Sequence, residues 1–420
     1  MSFAQPHLKP PGQLDPSFGA GDGIDPVSIP GPANAISLIQ GLAVDTEARV
    51  LFATSRSNRF VLGRRLRDGG ADRQFGIEGL IHDFFTTEEG GNSTGTGVFI
   101  LESGAIMLRG SHSSGSRSLP ALALFDGNGH YDFGFGQYGK SVIPLPDESP
   151  GSDDLKGELL IDGDPSTPLL ISADEKILMV YEGFLIRLLK NGQPDPSFNG
   201  GKHYVDTRHP EYPSVILRMV QVCEDKLVLS GNANVNGERV VMFTCFFLDG
   251  KLDTDYGQKG YVLLNELGIN GQMAVTALVT TSPGKVVAIG QRQSPTREQG
   301  FLIGLDSVGK LDRDFNDGDP VFTPVTDSHR FYWNAGAIDS KGRIIVSGGS
   351  MEGSGSPAYI VVGRYLPDGK ADLDFSENEG FVTTTNVQLS VAVAPDPYDR
   401  IVIGGLTIPP NSPLLLRYLA

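Results

Sequence analysis

The stretch "GQLDPSFGAGDG", residues 12–23, contains a short motif that decides the fold, because the pattern Asp-x-x-aromatic returns six more times along the chain. The seven copies begin at Asp15, Asp72, Asp132, Asp195, Asp253, Asp312 and Asp372. Successive copies lie 57, 60, 63, 58, 59 and 60 residues apart. Such a constant, long period is the sequence signature of a repeat architecture, so we expect one structural unit per period.

Each period contains the same order of segments: an apolar run, a polar turn, a β-branched run, a loop, a third apolar run and the motif. The second runs "KVVAIGQ" (285–291) and "RIIVSGG" (343–349) are short and β-branched, as buried strands are. A fourth short run follows each motif, as in "GYVLL" (260–264) and "GFVTTT" (380–385). Four strands in each of seven repeats predict an all-β, seven-bladed β-propeller with four antiparallel strands per blade.

The two ends of the chain are complementary. The chain enters through a fourth-type strand around "GIDPVSI" (23–29) and leaves after a third-type strand, "SPLLLRYLA" (412–420). We therefore predict that the N-terminal strand completes the C-terminal blade, which closes the ring and removes an exposed sheet edge. The predicted organisation is an N-terminal extension at residues 1–13 and a single propeller domain at residues 14–420.

The repeated unit resembles the delta-60 repeat proteins of bacteria, whose unit looks like "LDxxFGxxG" followed by strands and a "DGKIVVAG"-like hairpin. The resemblance covers Leu14 to Ala420. Single copies depart from the pattern: Asn199 and Ser376 replace the glycine, Tyr256 replaces phenylalanine, and the third copy carries an insertion at 144–168. The resemblance implies the propeller fold and brings no biochemical activity with it.

The motif itself is interpreted as a corner and a plug. Its aspartate can accept hydrogen bonds from backbone N–H groups two or three residues on. The next residue after the aromatic is Gly or Asn in six of seven copies, the residue types that tolerate a positive φ. The aromatic side chains are predicted to fill the wedge between adjacent blades, and they are Phe18, Phe75, Phe135, Phe198, Tyr256, Phe315 and Phe375.

An alternative is that the seven motifs form seven metal or sugar sites. The best calcium-like cluster is "DRDFNDGD" (312–319), but it lacks the spacing and the terminal Glu of an EF-hand. The seven histidines show no metal-ligand spacing. We therefore predict no metal and no cofactor.

The charge balance argues against nucleic acid as a partner. The chain has 34 basic and 50 acidic residues, a net charge of −16, which repels phosphate backbones. The two cysteines, Cys223 and Cys245, lie in apolar runs and are predicted to be buried, reduced thiols. The N-terminal segment has no signal-peptide pattern and no apolar run long enough to span a membrane. We expect a cytoplasmic protein, or one exported without a cleaved signal, and a monomer without membrane contact.

Enzyme signatures are weak. "GNSTG" (91–95) matches G-x-S-x-G around Ser93, but no helical pattern follows it. "GFGQYG" (134–139) matches G-x-G-x-x-G, but it is the third corner motif and no βαβ unit surrounds it. The sequence also lacks H-E-x-x-H, a Walker loop and C-x-x-C.

Function is predicted to lie on the loops opposite the corner motifs. The segment "VTDSHRFYWN" (325–334) holds the only tryptophan beside His, Arg and Tyr, which are common interface anchors, and we predict it as the main contact surface. The alternative is that Trp333 packs at the top of its blade. Arginines also occur in the loops "TSRSNR" (54–59) and "NVNGER" (234–239). The predicted binding residues are His112, Arg117, His209, Tyr212, Arg292, His329, Arg330, Tyr332 and Trp333.

Two functional classes remain open. The leading one is a non-catalytic scaffold that binds a protein or glycan through the loop face. The alternative is a propeller enzyme, a lyase or hydrolase, with His112, His209, His329 and nearby acids at the mouth of the channel.

Overall fold

Twenty-eight strands form seven separate four-stranded antiparallel sheets in the part of the chain that the structure describes. The computed structural model describes residues 10–32, 37–115, 117–146, 169–223, 225–293, 298–323, 331–350, 359–376, 379–407 and 412–420. The sheets are blades arranged around a central channel, so the prediction of an all-β, seven-bladed β-propeller is confirmed. The described ranges contain three short 3-10 turns, and no helix in them is long and apolar enough to cross a membrane.

Blades 1 to 4 follow one another along the chain, and each uses four consecutive strands. Blade 1 contains β2 (Gly41–Val44), β3 (Val50–Arg56), β4 (Arg59–Arg65) and β5 (Leu80–Asp83). Blade 2 contains β6 (Asn92–Ile100), β7 (Ile106–Ser113), β8 (Leu119–Phe125) and β9 (Lys140–Val142). Blade 3 contains β10 (Leu170–Ile171), β11 (Ile177–Tyr181), β12 (Phe184–Leu188) and β13 (Tyr204–Asp206). Blade 4 contains β14 (Ser214–Cys223), β15 (Lys226–Val235), β16 (Glu238–Phe247) and β17 (Tyr261–Leu263).

Blades 5 to 7 complete the ring, and the last of them uses both ends of the chain. Blade 5 contains β18 (Gln272–Ser282), β19 (Lys285–Gln293), β20 (Glu298–Leu305) and β21 (Val321–Phe322). Blade 6 contains β22 (Phe331–Ile338), β23 (Ile344–Ser350), β24 (Tyr359–Tyr365) and β25 (Phe381–Thr384). Blade 7 contains β26 (Val387–Pro395), β27 (Ile401–Thr407), β28 (Pro413–Tyr418) and β1 (Ile24–Pro26). Because Ile24 pairs with Leu416, the predicted closure of the ring is confirmed.

Irregularities in the first strands connect the blades around the channel. The register shifts by one residue in β18 at Thr276 and in β22 at Asn334, as in a β-bulge. The Thr276 hydroxyl donates to the carbonyl oxygen of Trp333 at 2.9 Å, and the Asn334 amide donates to the carbonyl oxygen of Ser390 at 2.8 Å. Each bulge thus turns a polar side chain towards the next blade and links the two innermost strands.

The hydrophobic core is divided among the interfaces between neighbouring blades. In one cluster, Phe75 from the corner of blade 1 packs with Val98 and Leu108 of blade 2. In another, Phe315 from the corner of blade 5 packs with Trp333 and Val346 of blade 6. All seven motif aromatics are buried, with 2% exposure or less. The predicted wedge role of these aromatics is confirmed, as is the buried free thiol at Cys245.

The aspartate of every motif makes the predicted turn. A side-chain oxygen of Asp15 accepts the N–H of Ser17 at 2.9 Å, and the six other copies accept the N–H two residues on at 2.9 to 3.2 Å. The residue after the aromatic has a positive φ in all seven copies, including Ser376 at 59°. At Gly19 this conformation lets the N–H donate to the Asp68 carbonyl oxygen of the next blade at 2.8 Å.

An arginine clamp accompanies the motif in four blades, and the sequence analysis missed it. In blade 3, Arg187 Nε donates to Asp195 at 2.8 Å while its guanidinium lies 4.4 Å from the centre of the Phe198 ring. Its Nη1 also donates to the carbonyl oxygen of Leu248 in the next blade at 2.9 Å. The same arrangement of arginine, aspartate and aromatic is formed by Arg64, Arg364 and Arg417 with their own motifs. In blades 1, 3 and 7 this arginine both fixes the corner and donates to a carbonyl oxygen of the next blade.

Candidate functional site

The two faces of the ring differ in the connections that they carry. Antiparallel order places the hairpins between second and third strands, together with the connections from the fourth strand to the next blade, on one face, which we call the loop face. The turns between first and second strands and the corner motifs lie on the other, which we call the corner face. The predicted binding residues that the structure describes belong to the loop face or to strand ends that meet it.

Trp333 is not a surface anchor, and this prediction is corrected. Its side chain is fully buried, and its Nε1–H donates to the Thr323 hydroxyl at 3.1 Å. The Tyr365 hydroxyl lies 2.5 Å from the same Thr323 oxygen, and its ring meets the indole edge to face. Because Trp333 is the third residue of β22 and points into the interface with blade 5, it is covered by its own blade and the preceding one. The alternative interpretation, that it packs at the top of its blade, is the correct one.

Of the rest of that segment, the structure describes only residues 331–334. Tyr332 is half-buried, and a Cβ added to Gly349 would lie 3.4 Å from its ring. His329 and Arg330 lie outside the described residues. The prediction of a contact surface here depended on an exposed tryptophan, and the indole of Trp333 is buried.

His209 and Tyr212 form an aromatic cluster on the loop face. Their rings stack at a centroid distance of 4.8 Å, and the Tyr261 ring meets His209 edge to face at 4.7 Å. Beside them, the Arg208 guanidinium forms a bidentate pair with the Asp206 carboxylate. The structure thus brings two predicted residues together, but the cation next to them is already neutralised.

The imidazole of His209 is held in one tautomer. Its Nδ1 accepts the N–H of Glu211 at 3.1 Å, which leaves the proton on Nε2. Burial lowers the pKa of His209, and nearby Glu211 and Glu266 only partly oppose this effect. The ring is therefore neutral at pH 7 and offers one N–H donor and one aromatic face.

Arg117 and His112 are occupied by structural contacts. The Arg117 guanidinium pairs with Glu182 at 3.8 Å and donates to the carbonyl oxygen of Pro146. His112 Nδ1 lies 2.9 Å from the hydroxyl of Ser93, the serine in the G-x-S-x-G match. The sequence analysis treated Ser93 and His112 separately, since only the pairing of β6 with β7 places them opposite each other.

The pair of Ser93 and His112 does not have the properties of an exposed nucleophile and base. Ser93 is fully buried, and its oxygen already accepts the N–H of Phe85 at 3.0 Å. Burial lowers the pKa of His112, so the imidazole is neutral and can accept the serine hydroxyl proton in a hydrogen bond. The pair satisfies buried polar groups where blade 1 passes into blade 2.

We expect Ser93→Ala to lower the free energy of unfolding by about 1–3 kcal/mol, because the Phe85 N–H and His112 Nδ1 would lose their shared partner. Equilibrium unfolding in urea measures this loss. Ser113→Ala, which removes a hydroxyl from an exposed contact on the neighbouring strand β7, serves as the control and should change stability by less than about 0.5 kcal/mol. Equal stability of the Ser93→Ala variant and the unmodified protein would contradict a structural role.

A cleft between blades 4 and 5 is lined by one arginine, Arg239, which has no ion pair within the described ranges. The cleft has a volume of about 310 Å³, and its lining also includes Glu238, Asn265, Asn270, Gln272 and Met273. Arg239 Nε and Asn265 Oδ1 are both buried without a hydrogen-bond partner. The cleft therefore presents one unmatched donor and one unmatched acceptor.

A second arginine borders the same cleft. A Cβ added to Gly271, which lines the cleft, would lie 3.3 Å from Nε of Arg292. The Arg292 guanidinium also lies 5.0 Å from the centre of the Phe322 ring, and its Nε is buried without a hydrogen-bond partner. Arg292 was predicted as a binding residue, and the structure places it next to Gly271, at the edge of the cleft that Arg239 lines.

Both arginines are exceptions within an acidic molecule. Elsewhere on the loop face, Arg59 pairs with Glu89 at 3.2 Å, and Arg208 pairs with Asp206. Neither Arg239 nor Arg292 has an ion pair within the described ranges. Burial alone lowers the pKa of Arg239, and no carboxylate opposes it. The lining of the cleft thus combines the half-buried Arg239, which has no ion pair within the described ranges, with the exposed carboxylate of Glu238.

A cavity between the innermost strands offers less chemistry. It is lined by residues from or next to the first strands of blades 1, 2, 5, 6 and 7, and Gln40 is the only polar side chain on this lining. A search of the described residues for three or more clustered His, Cys, Asp or Glu side chains that could hold a metal finds none. In "DRDFNDGD", the Lys285 ammonium bonds to Asp312 at 2.8 Å and Asp314 at 2.7 Å, so a side-chain cation already lies between these carboxylates.

Comparison with known proteins yields likeness of fold only. No protein-family model matches the chain, and no curated protein matches it. Among solved structures, it is similar to virginiamycin B lyase from Staphylococcus aureus, with a TM-score of 0.45 and 8% identity over 94% of this chain and 99% of that one. An α-L-arabinofuranosidase from Fusarium graminearum gives 0.41 and 10% over 95% and 97%. A PQQ-bound aldose sugar dehydrogenase from Streptomyces coelicolor gives 0.40 and 8% over 98% and 100%. At such low values, these likenesses carry no argument about activity.

Proposed function

We propose that this propeller is a non-catalytic scaffold that binds a carboxylate-bearing partner, a protein or a glycan, in the cleft between blades 4 and 5. The observation that carries the proposal is that Arg239 and Arg292 are half-buried and unpaired in a chain of net charge −16. A desolvated guanidinium without a counter-ion is costly, and a bound carboxylate relieves that cost.

The lining of the cleft suits such a ligand. A guanidinium presents a fork of N–H donors that matches the two oxygens of a carboxylate. The side-chain amides of Asn265, Asn270 and Gln272 can bond to neighbouring hydroxyl or peptide groups, while Met273 and Leu264 provide apolar contact. Peptides with acidic side chains and glycans with uronic acids share these features.

Calorimetric titration tests the proposal with two probes, acetyl-Glu-Glu-Glu-amide and trigalacturonate. We expect Arg239→Gln and Arg292→Gln each to weaken binding at least about tenfold, because each removes a charge-assisted hydrogen bond. Added salt should weaken binding further, since the interaction is partly exposed. The probe that binds more tightly indicates whether the partner is a protein or a glycan.

Arg313→Gln is the matched control for these variants. It removes the same charge at an exposed position on the corner face and should leave binding unchanged. If the variant carrying both loop-face substitutions binds either probe as tightly as the unmodified protein, the cleft is not the site. If neither probe binds the unmodified protein, the carboxylate proposal is rejected.

The enzyme alternative is supported by one observation, the 2.9 Å contact of Ser93 and His112. The binding scaffold is preferred because Ser93 is fully buried, whereas the arginines of the cleft can be reached from solvent. We also retain membership of the delta-60 repeat family as a proposal, and the sevenfold period supports it.

A further inference from the structure

The corner face contains one irregular repeat, in blade 2. Six motif aspartates are buried and lie beside a cation from their own blade. In blades 1, 3 and 6 the cation is an arginine eight residues before the aspartate, and in blade 7 it is Arg417. In blades 4 and 5 it is a lysine at the start of the second strand, Lys226 or Lys285, at 2.6 and 2.8 Å. In these six blades the charge of the corner aspartate is thus neutralised by a cationic side chain of the same blade.

Asp132 is the exception. Leu124 stands where other blades have the arginine, and Ala105 stands where blades 4 and 5 have the lysine. Within the described ranges, Asp132 has no ion pair, and the N–H of Gly134, at 2.9 Å, is the donor to its side chain. Unlike the six other motif aspartates, Asp132 is exposed to solvent. The corner of blade 2 keeps the motif carboxylate but lacks its cation.

This carboxylate lines a groove on the corner face, between blades 2 and 3. The groove has a volume of about 790 Å³, and Phe99, Leu101 and Ile171 provide partly exposed apolar walls. Its one lysine, Lys190, is paired with Glu175 at 3.0 Å. With Glu102 also on its lining, the groove has a net negative charge.

Exposed aromatic rings adjoin the same carboxylate. Phe133, next to Asp132 in the chain, is 72% exposed, and Tyr138 is 65% exposed. The two rings meet edge to face at a centroid distance of 6.2 Å. The other corners have proline, arginine, threonine or leucine at the position of Phe133. The corner that contains Asp132 therefore also presents two exposed aromatic side chains to solvent.

We propose that this groove, the blade 2 corner groove, binds an exposed arginine side chain of a protein partner. The partner supplies from outside the guanidinium that the chain itself supplies in four other blades. There, the guanidinium bonds to the motif carboxylate at 2.6 to 2.8 Å, which shows that the motif geometry accepts this group. The apolar walls suit the arginine stem, and the charge of the groove is complementary to it.

The proposal is independent of the carboxylate cleft, because the groove lies on the opposite face and takes the opposite charge. Fluorescence anisotropy with labelled acetyl-Leu-Arg-Leu-amide tests it, and the citrulline analogue of this peptide is the neutral comparison. We expect the arginine peptide to bind at least about tenfold more tightly than the citrulline peptide. Asp132→Asn should abolish this preference, and replacing both Phe133 and Tyr138 by serine should weaken binding of both peptides.

Two further variants sharpen the test. Leu124→Arg places a guanidinium beside Asp132 from within, as Arg64 does in blade 1, and should block the peptide. Asp374→Asn removes an exposed carboxylate from the corner of blade 6 and should leave binding unchanged. Equal binding of the two peptides, or an unchanged preference in Asp132→Asn, would overturn the proposal. So would a failure of the arginine peptide to bind the unmodified protein. If Leu124→Arg does not fold, the Asp132→Asn result decides alone.

Discussion

Replacing Asp195 by alanine is expected to reduce the free energy of unfolding by about 3–5 kcal/mol, because it leaves a buried guanidinium without its carboxylate. Asp195 is 1% exposed and accepts Arg187 Nε at 2.8 Å and the Ser197 N–H at 2.9 Å. Arg187 also joins blade 3 to the Leu248 carbonyl oxygen of blade 4. Urea unfolding, followed by far-UV circular dichroism, measures the loss.

The same substitution at Asp132 is the matched control. Asp132 occupies the equivalent position but is exposed and unpaired within the described ranges, so Asp132→Ala should cost less than about 1 kcal/mol. A large loss at both positions would mean that the turn, not the ion pair, stabilises the corner. A small loss at both would contradict the clamp.

The effect at Asp195 should also depend on pH. Burial raises the pKa of its carboxyl, but the hydrogen bonds from Ser197 and the charge of Arg187 outweigh burial, so the pKa lies below the ordinary value. A depressed carboxyl pKa contributes stability above the unfolded-state pKa of about 3.9, and this contribution is lost as pH falls through the folded-state pKa. The difference between the unmodified protein and Asp195→Ala should therefore be constant near pH 7 and shrink below about pH 4.

The architecture could be predicted because one local solution is repeated seven times. Two local signals, a β-branched second run and a turn-forming aspartate, recur with a period of about sixty residues. Because they recur seven times, a chance match to the pattern is excluded. The arginine clamp was also present in the sequence, since Arg64 and Arg187 stand eight residues before their aspartates. It was missed because Arg417 stands far from Asp15 in the chain, and three blades have Leu, Cys or Gly at this position. Only ring closure shows that Arg417 belongs to the same set.

The candidate site was less predictable because it depends on what each side chain faces. The sequence analysis predicted Arg292 as a binding residue but not Arg208 or Arg239, and of these three arginines only Arg208 has an acidic partner in the described ranges, its neighbour Asp206. Cross-strand register decides the other two: Arg239 lies opposite Asn234, and Arg292 lies between Met273 and Gln299, none of which is acidic. That register depends on the turn type and loop length of each hairpin and on bulges in its strands, which a single sequence does not display.

Trp333 shows the same limit, and its replacement has the second large expected effect. Trp333→Ala should lower the free energy of unfolding by about 3–5 kcal/mol, as the loss of a large buried aromatic does. The indole packs against Gly363, where a Cβ would lie 2.9 Å from the ring, and Thr323 and Tyr365 would lose a bonded neighbour. Urea unfolding monitored by far-UV circular dichroism measures the change, since this variant has no tryptophan to report by fluorescence.

Trp333→Phe separates packing from the hydrogen bond. It keeps most of the apolar volume but loses the Nε1–H donor to Thr323, so a smaller loss of about 1–2 kcal/mol is expected. In the unmodified protein, the single tryptophan should emit at short wavelength when folded and shift to the red on unfolding, because its side chain is fully buried. If Trp333→Ala is as stable as the unmodified protein, or if the folded protein shows red-shifted emission, Trp333 is exposed and the buried position is wrong. If both expectations hold, a Trp333→Ala variant that no longer binds a partner has a destabilised blade and has not lost a contact residue. The binding face must then be mapped by substitutions at Arg239 and Arg292.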